Sequence, residues 1–169
     1  MAKNFKQCLE HVLVSEGGFA DHPKDPGGMT NKGITARVYE EFLGEEVTKQ
    51  MMEDIPDEHV EEIYRDQYWD VVCGDELPAG VDLCVFDFGV NAGPVRSVKM
   101  LQSSVGAVSD GILGPNTLNA VDEHDPQTVI EVFCGKREDY YRSLRHFKTF
   151  GKGWLRRNDD VRDTALDMV

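Results

Sequence analysis

Val12-Leu13-Val14-Ser15-Glu16-Gly17-Gly18-Phe19 closes an apolar-periodic run on a carboxylic acid and two glycines. Upstream, Phe5, Cys8, Leu9, Val12 and Leu13 fall at the three-and-four spacing of a buried helical face, which predicts a helix from Asn4 to Glu16. Gly17 or Gly18 takes the left-handed conformation that stops it. Glu16 then occupies the last turn, at the negative end of the helix dipole, where an anion is disfavoured and stability alone would select Lys or Arg. Shielded from water there, a carboxyl stays protonated, as a general acid requires. Taken singly, a Glu is more often a solvated surface residue.

The chain continues into Asp25-Pro26-Gly27-Gly28-Met29-Thr30-Asn31-Lys32-Gly33-Ile34-Thr35. Asp-Pro-Gly-Gly is turn chemistry: Asp bonds its own backbone, Pro fixes φ and Gly supplies positive φ. Thr35 reads as a helix N-cap, with Ile34 and Tyr39 as the hydrophobic staple around it. One acid thus stands at a helix exit and a second, Asp25, on a stiff Gly-rich loop. Hydrolysis of a glycosidic bond needs two carboxyl groups in different surroundings, because one donates a proton while the other stays ionised.

Outside this segment the pattern is helical. Short helices are predicted from Thr35 to about Gly44 and from Thr48 to Asp54. A long amphipathic helix capped by Asp57 then turns Val60, Ile63, Tyr64, Tyr68 and Val71 to one face and ends at Gly74. Val81 to Val90 is apolar nearly all round and reads as the central buried helix. Further helices are predicted at 95–105, 115–122, 126–147 and 154–166, bounded by Pro94, Gly106, Gly114-Pro115 and Asp125-Pro126. Strand signal is poor, with room for at most a small hairpin in 19–34. The fold class is mainly α.

The ordered blocks carry a family resemblance. Glu16-Gly17-Gly18-Phe19 with Asp25 to Thr35, Ile63-Tyr64-Arg65-Asp66-Gln67-Tyr68-Trp69-Asp70, Val85-Phe86-Asp87-Phe88-Gly89-Val90-Asn91-Ala92-Gly93-Pro94, Asp110 to Leu118, and Gly153-Trp154-Leu155-Arg156-Arg157 follow one another in sequence. In that order they resemble the glycoside hydrolase family 108 muramidases, phage-type endolysins and bacterial relatives that cut peptidoglycan. The resemblance covers nearly the whole chain. It implies a lysozyme-like compact helical fold with a Gly-rich active-site loop, a catalytic part at 1–92 and a helical, predicted peptidoglycan-binding part at 93–169.

The same resemblance implies hydrolysis of the β-1,4 bond between N-acetylmuramic acid and N-acetylglucosamine, with Glu16 as the acid. The wider phage-lysozyme pattern is Glu, eight residues, Asp, five residues, Thr. Glu16 to Asp25 keeps the eight, whereas four residues separate Asp25 from Thr30 and Asn31 stands at the expected Thr position. Asp25 and Thr30 are the expected partners of Glu16, with Asp21 a competing candidate on the same loop. Tyr68 and Trp69 are candidate ring platforms for sugar, although aromatic residues in a helical signature are more often core. Asp87 and Asn91, one helical turn apart, either line the sugar cleft or pair inside the fold. In the second reading Asp87 meets a base such as Arg65 or Arg96, and Asn91 caps the helix before Gly93.

Composition narrows the rest. A length of 169 residues with 40% hydrophobic content suits one domain or two small lobes. No apolar stretch approaches the ~20 residues of a membrane span, and the N-terminus lacks an apolar signal segment. Synthesis in the cytoplasm is expected, with passage to the wall through a holin-like pore or an external exporter. Cys8, Cys73, Cys84 and Cys134 show no CxxC spacing and lie in apolar runs, which predicts reduced, buried thiols. The histidines form no ligand-spaced pair with them, so neither a metal site nor a cofactor is expected.

The net charge of −13 is polarised. Residues 40–82 hold fifteen acids against Lys49 and Arg65, while 136–162 carry nine Lys or Arg against four acids. The basic stretch either steers toward an anionic wall polymer or is an ordinary solvated helix face. So acidic a chain with no nucleic-acid-reading motif is not expected to bind nucleic acid. Peptidoglycan glycan strands are the expected partner. A non-catalytic wall-binding or scaffold protein, or a chitinase-like hydrolase, are the alternatives.

Overall fold

The computed structural model describes residues 4–22 and 28–169. Among these the chain forms two compact units: residues 9–67, and residues 4–8 together with 68–169. Helix α1 (Phe5–Glu16) begins in the second of these and ends in the first.

In the 9–67 unit, α1 ends at Glu16, followed by Gly17 at φ 71. Three short antiparallel strands come next, β1 (Ala20–Asp21), β2 (Met29–Asn31) and β3 (Ile34–Thr35), in the order β1-β2-β3. Ala20 stands opposite Thr30, and Asn31 opposite Ile34. The sheet exceeds the single hairpin expected because Ile34 and Thr35 pair with β2 before they enter a helix. Lys32 and Gly33, at φ 51 and 75, make the two-residue turn between β2 and β3, where right-twisted strands favour positive φ at both positions.

Thr35 Oγ1 accepts from Val38 N at 3.2 Å and starts α2 (Ala36–Leu43), which Gly44 closes at φ 74. Ile34 and Tyr39, the expected staple, are both buried. Thr48 caps α3 (Lys49–Glu53) in the same way.

Helix α4 (Asp57–Tyr64) does not run on as one long α-helix. It passes into a π-helical turn at Arg65–Trp69, and a 3₁₀ turn follows at Gly74–Glu76. A π turn adds one residue to the ladder and shifts every later side chain round the axis. The buried series therefore goes Val60, Ile63, Tyr64, Trp69, Val72, while Tyr68 is half-buried and Val71 is 50% exposed. The α-helical spacing had placed Tyr68 and Val71 on the buried face.

The 68–169 unit is built around α5 (Val81–Ala92), in which nine successive residues, Val81 to Gly89, are buried. Burying each Leu, Val or Phe side chain there contributes about 1.5–3 kcal/mol. Helices α6 (Pro94–Ser104), α8 (Pro126–Ser143) and α9 (Phe147–Asp167) pack against it, with α7 (Pro115–Asp122) between α6 and α8 in the chain. Pro94, Pro115 and Pro126 each open a helix, where a missing N–H costs nothing.

The last helix starts at Phe147 rather than 154 and crosses Gly151 and Gly153. Glycine inside a helix costs about 1 kcal/mol against Ala, which is why the propensity pattern stops short. At Gly151 packing decides instead: the Phe147 ring comes within 2.5 Å of where a Cβ would stand. All four cysteines are free, and Cys84 Sγ lies 3.8 Å from Cys134 Sγ between α5 and α8. Among the described residues no helix is long and apolar enough to cross a membrane.

Candidate active site

Glu16 is half-buried at the last position of α1, and its carboxyl reaches the β2–β3 turn. A methyl group on Gly33 would stand 2.9 Å from Glu16 Oε2 and 2.5 Å from Tyr64 Oη. Glycine is thus required there twice over, by φ and by the approach of two side chains. Tyr64, 2% exposed, donates its hydroxyl to Lys32 O at 2.6 Å. Lys32 in turn holds Asp57 Oδ1 at 3.0 Å. A left-handed lysine costs about 1–2 kcal/mol, and these contacts fix it from both its carbonyl and its ammonium. Strained backbone pinned by its surroundings gathers at functional sites. Here it sets the floor against which the Glu16 carboxyl rests.

Asp25 lies outside the described residues. Thr30 is half-buried in β2, between Ala20 and Thr35 in register. Its neighbour Asn31 points the other way, as strand alternation demands. Asn31 is 5% exposed, and its Nδ2 donates to Met52 O at 2.8 Å and Glu53 O at 3.3 Å, satisfying carbonyls at the end of α3. The residue at the pattern's threonine position is therefore committed to the scaffold. Asp21 is exposed at the end of β1.

The four expected sugar contacts divide. Trp69 is fully buried, 5.3 Å from the Phe5 ring and 5.2 Å from Phe86, with its Nε1 donating to Asp75 Oδ1 at 3.0 Å. Its ring also covers Gly74 so closely that a Cβ there would stand 2.3 Å away. No face of this indole is open to a sugar, which corrects that expectation. The added residue of the π turn is the cause. Tyr68 stays half-buried.

Asp87 is likewise removed from substrate contact. Its carboxylate is 0% exposed, 2.6 Å from Arg137 Nη2 and 3.0 Å from Arg157 Nη2, with Arg157 Nε 3.1 Å from its other oxygen. Burial pushes the Asp87 carboxyl up, but the two guanidinium groups outweigh it and hold the group below the ordinary range. The partners are Arg137 and Arg157, not Arg65 or Arg96. Arg137 Nε donates to Tyr141 Oη at 2.9 Å, and that hydroxyl donates to Asn91 Oδ1. Asn91 is half-buried two residues before Gly93, which ends α5. Asp87 and Asn91 do belong to one cluster, and it is a structural one.

The turn at Asp110-Gly111-Ile112 is organised by a residue that the sequence reading passed over. Gln102, 1% exposed, donates to Asp110 Oδ1 at 2.8 Å, Ile112 O at 3.0 Å and Thr117 Oγ1 at 3.1 Å, and accepts from Gly111 N at 2.9 Å. A glutamine inside an apolar helix face, eight residues before a turn, is the signal that would have found it. Among the described residues no group of three His, Cys, Asp or Glu is placed to hold a metal ion.

A mainly helical, lysozyme-like fold that ends its first helix on a carboxyl braced by a glycine turn defines the class, a glycoside hydrolase. Residues 9–93 match the family described as Glycosyl hydrolase 108, and residues 96–159 the one described as Predicted Peptidoglycan domain. The solved structure of Brucella abortus SagA superposes with a TM-score of 0.86 at 42% sequence identity, covering 99% of this chain and 97% of that one. No curated protein matches. The chain belongs to the glycosyl hydrolase 108 family, and with its second segment it is a hydrolase of the peptidoglycan-directed kind.

Proposed function

We propose that this protein is an N-acetylmuramidase, cleaving the β-1,4 bond between N-acetylmuramic acid and N-acetylglucosamine in host-cell lysis or wall remodelling. The observation that carries the reading is the Glu16 carboxyl, held at the end of α1 against the Lys32–Gly33 turn. Glu16 is the general acid and protonates the glycosidic oxygen as the bond breaks. Asp25 is the general base and takes a proton from a water on the opposite face of the sugar. Thr30 orients that water.

Inversion is expected. Eight residues with an intervening turn separate the two acids in sequence, enough chain for their carboxyls to stand roughly 6.5–9.5 Å apart and admit a water. Mass spectrometry of digested peptidoglycan should find N-acetylmuramic acid at every new reducing end. Proton NMR of the first-formed product should show the α-anomer. New ends on N-acetylglucosamine would overturn the bond assignment, and a β-anomer would remove Asp25 from its role.

A further inference from the structure

Helix α4 takes hold of Lys32 at both its backbone and its side chain. Asp57 and Tyr64, the first and last residues of that helix, are seven positions apart and so lie on one face, two turns from each other. Asp57 Oδ1 meets the Lys32 ammonium at 3.0 Å, and the Tyr64 hydroxyl donates to the Lys32 carbonyl at 2.6 Å. The two holds are unequal. The ion pair stands open to water, with the Asp57 side chain 84% exposed, and such pairs contribute little. Tyr64 is buried along with Val60 and Ile63 of the same helix, so its hydroxyl reaches the turn from a fixed base.

The carbonyl that Tyr64 holds belongs to the peptide group joining Lys32 to Gly33. It therefore orients the residue against which Glu16 rests. Gly33, at φ 75 and without a side chain, has little of its own to keep it in place. The position its Cβ would take is 2.5 Å from Tyr64 Oη, 2.9 Å from Glu16 Oε2 and 3.3 Å from Glu16 Cβ. Tyrosine and acid thus converge on one spot, the first from α4 and the second from the end of α1. The chain leaves α-helical geometry at the next residue, Arg65, where the π turn starts. Turns of that kind collect at functional sites.

We propose that Tyr64 is a positioning residue for Glu16: its hydroxyl fixes the Lys32–Gly33 peptide and, through it, the place from which the Glu16 carboxyl protonates the glycosidic oxygen. The assignment rests on the reading of Glu16 as the general acid. Tyr64 transfers no proton itself; its own stays in the bond to Lys32 O. A reacting group displaced by about 1 Å loses about a hundredfold in rate. That loss falls only on substrates whose leaving oxygen must be protonated.

The test is Tyr64→Phe, which keeps the buried ring and removes one oxygen. Wild type, Tyr64→Phe and Glu16→Gln are compared on two substrates, with rates referred to the folded fraction. One is a soluble peptidoglycan fragment of alternating N-acetylglucosamine and N-acetylmuramic acid. The other is a 2,4-dinitrophenyl glycoside of such a fragment, joined through its N-acetylmuramic acid, whose leaving group departs without a proton. On the natural fragment Tyr64→Phe should lower kcat about 10–100-fold and leave KM within about twofold, as expected when only the transition state is affected. On the dinitrophenyl glycoside both variants should stay within about threefold of wild type, because acid catalysis is no longer needed. Tyr64→Phe that matches wild type on both substrates, or falls equally on both, overturns the positioning role. The reading of Glu16 survives that outcome if Glu16→Gln fails on the natural fragment alone. Glu16→Gln that loses the dinitrophenyl glycoside as well overturns the acid and the role of Tyr64 with it. A wild type that cleaves neither substrate removes the muramidase reading.

Discussion

The 9–67 unit and the 68–169 unit put their charged side chains to opposite uses. In the first, fifteen acids meet five Lys or Arg, and most lie on the surface of short helices. One of them, Glu16, is brought against a strained two-residue turn at the negative end of the α1 dipole. In the second, Asp87 is buried at the centre of α5 between Arg137 and Arg157, each guanidinium meeting one carboxylate. A charge kept where it destabilises marks chemistry; a charge kept where three helices converge on it marks architecture. Substitutions in the two units should therefore separate activity from stability.

The largest effect is expected at Asp87. Asp87→Asn leaves two guanidinium groups facing a neutral amide, one of them fully buried, and should cost about 3–5 kcal/mol in chemical denaturation. A loss below about 1 kcal/mol would mean that the cluster is not what holds α5, α8 and α9 together. The pH dependence carries a sign. A carboxyl whose folded pKa is depressed stabilises the fold above its unfolded value, near 3.9, and loses that contribution as pH falls through the folded value. The stability gap between wild type and Asp87→Asn should be constant above about pH 5 and narrow below about pH 4. A gap that widens in acid would contradict the ion-pair account.

Gly33→Ala comes next and acts on the other side of the comparison. It places a methyl group against Tyr64 Oη and Glu16 Oε2 at a residue with φ 75. The strain should cost about 1–3 kcal/mol. The displaced carboxyl should lower activity much further, of the order of a hundredfold. Loss of activity no greater than the loss of folded protein would show that the turn is only structural. The smallest effect is expected at Thr35→Ala, which removes the cap of α2 and should cost about 1 kcal/mol. Wall lysis by the folded fraction should be unchanged, since the Thr35 hydroxyl is spent on Val38 N and the backbone that pairs with Thr30 is kept.

Where local chemistry decides structure, the sequence could be read. The caps at Thr35 and Thr48, the stop at Gly44, the helix-opening prolines and the all-round apolar run of α5 appear where residue type and spacing predict them. Glu16 at the helix exit was legible for the same reason. What escaped depends on distant parts of the chain. The π turn at 65–69 moved Trp69 into the core, and single-residue slips leave no periodicity to detect. The partners of Asp87 lie 50 and 70 residues away. Gly151 sits within a helix because the Phe147 ring covers it.

The central claim is that Glu16 is the proton donor, and Glu16→Gln tests it most directly. Glutamine keeps the size and reach of glutamate but cannot deliver a proton to the leaving oxygen. General acid catalysis contributes about 10²–10⁴-fold, so peptidoglycan clearance should fall to the assay floor. The melting temperature should hold or rise slightly, since removing an anion from a helix C-terminus is worth about 0.3–1 kcal/mol. A Gln variant that clears peptidoglycan at near wild-type rate would contradict the assignment of Glu16, and the mechanism built on it would fail.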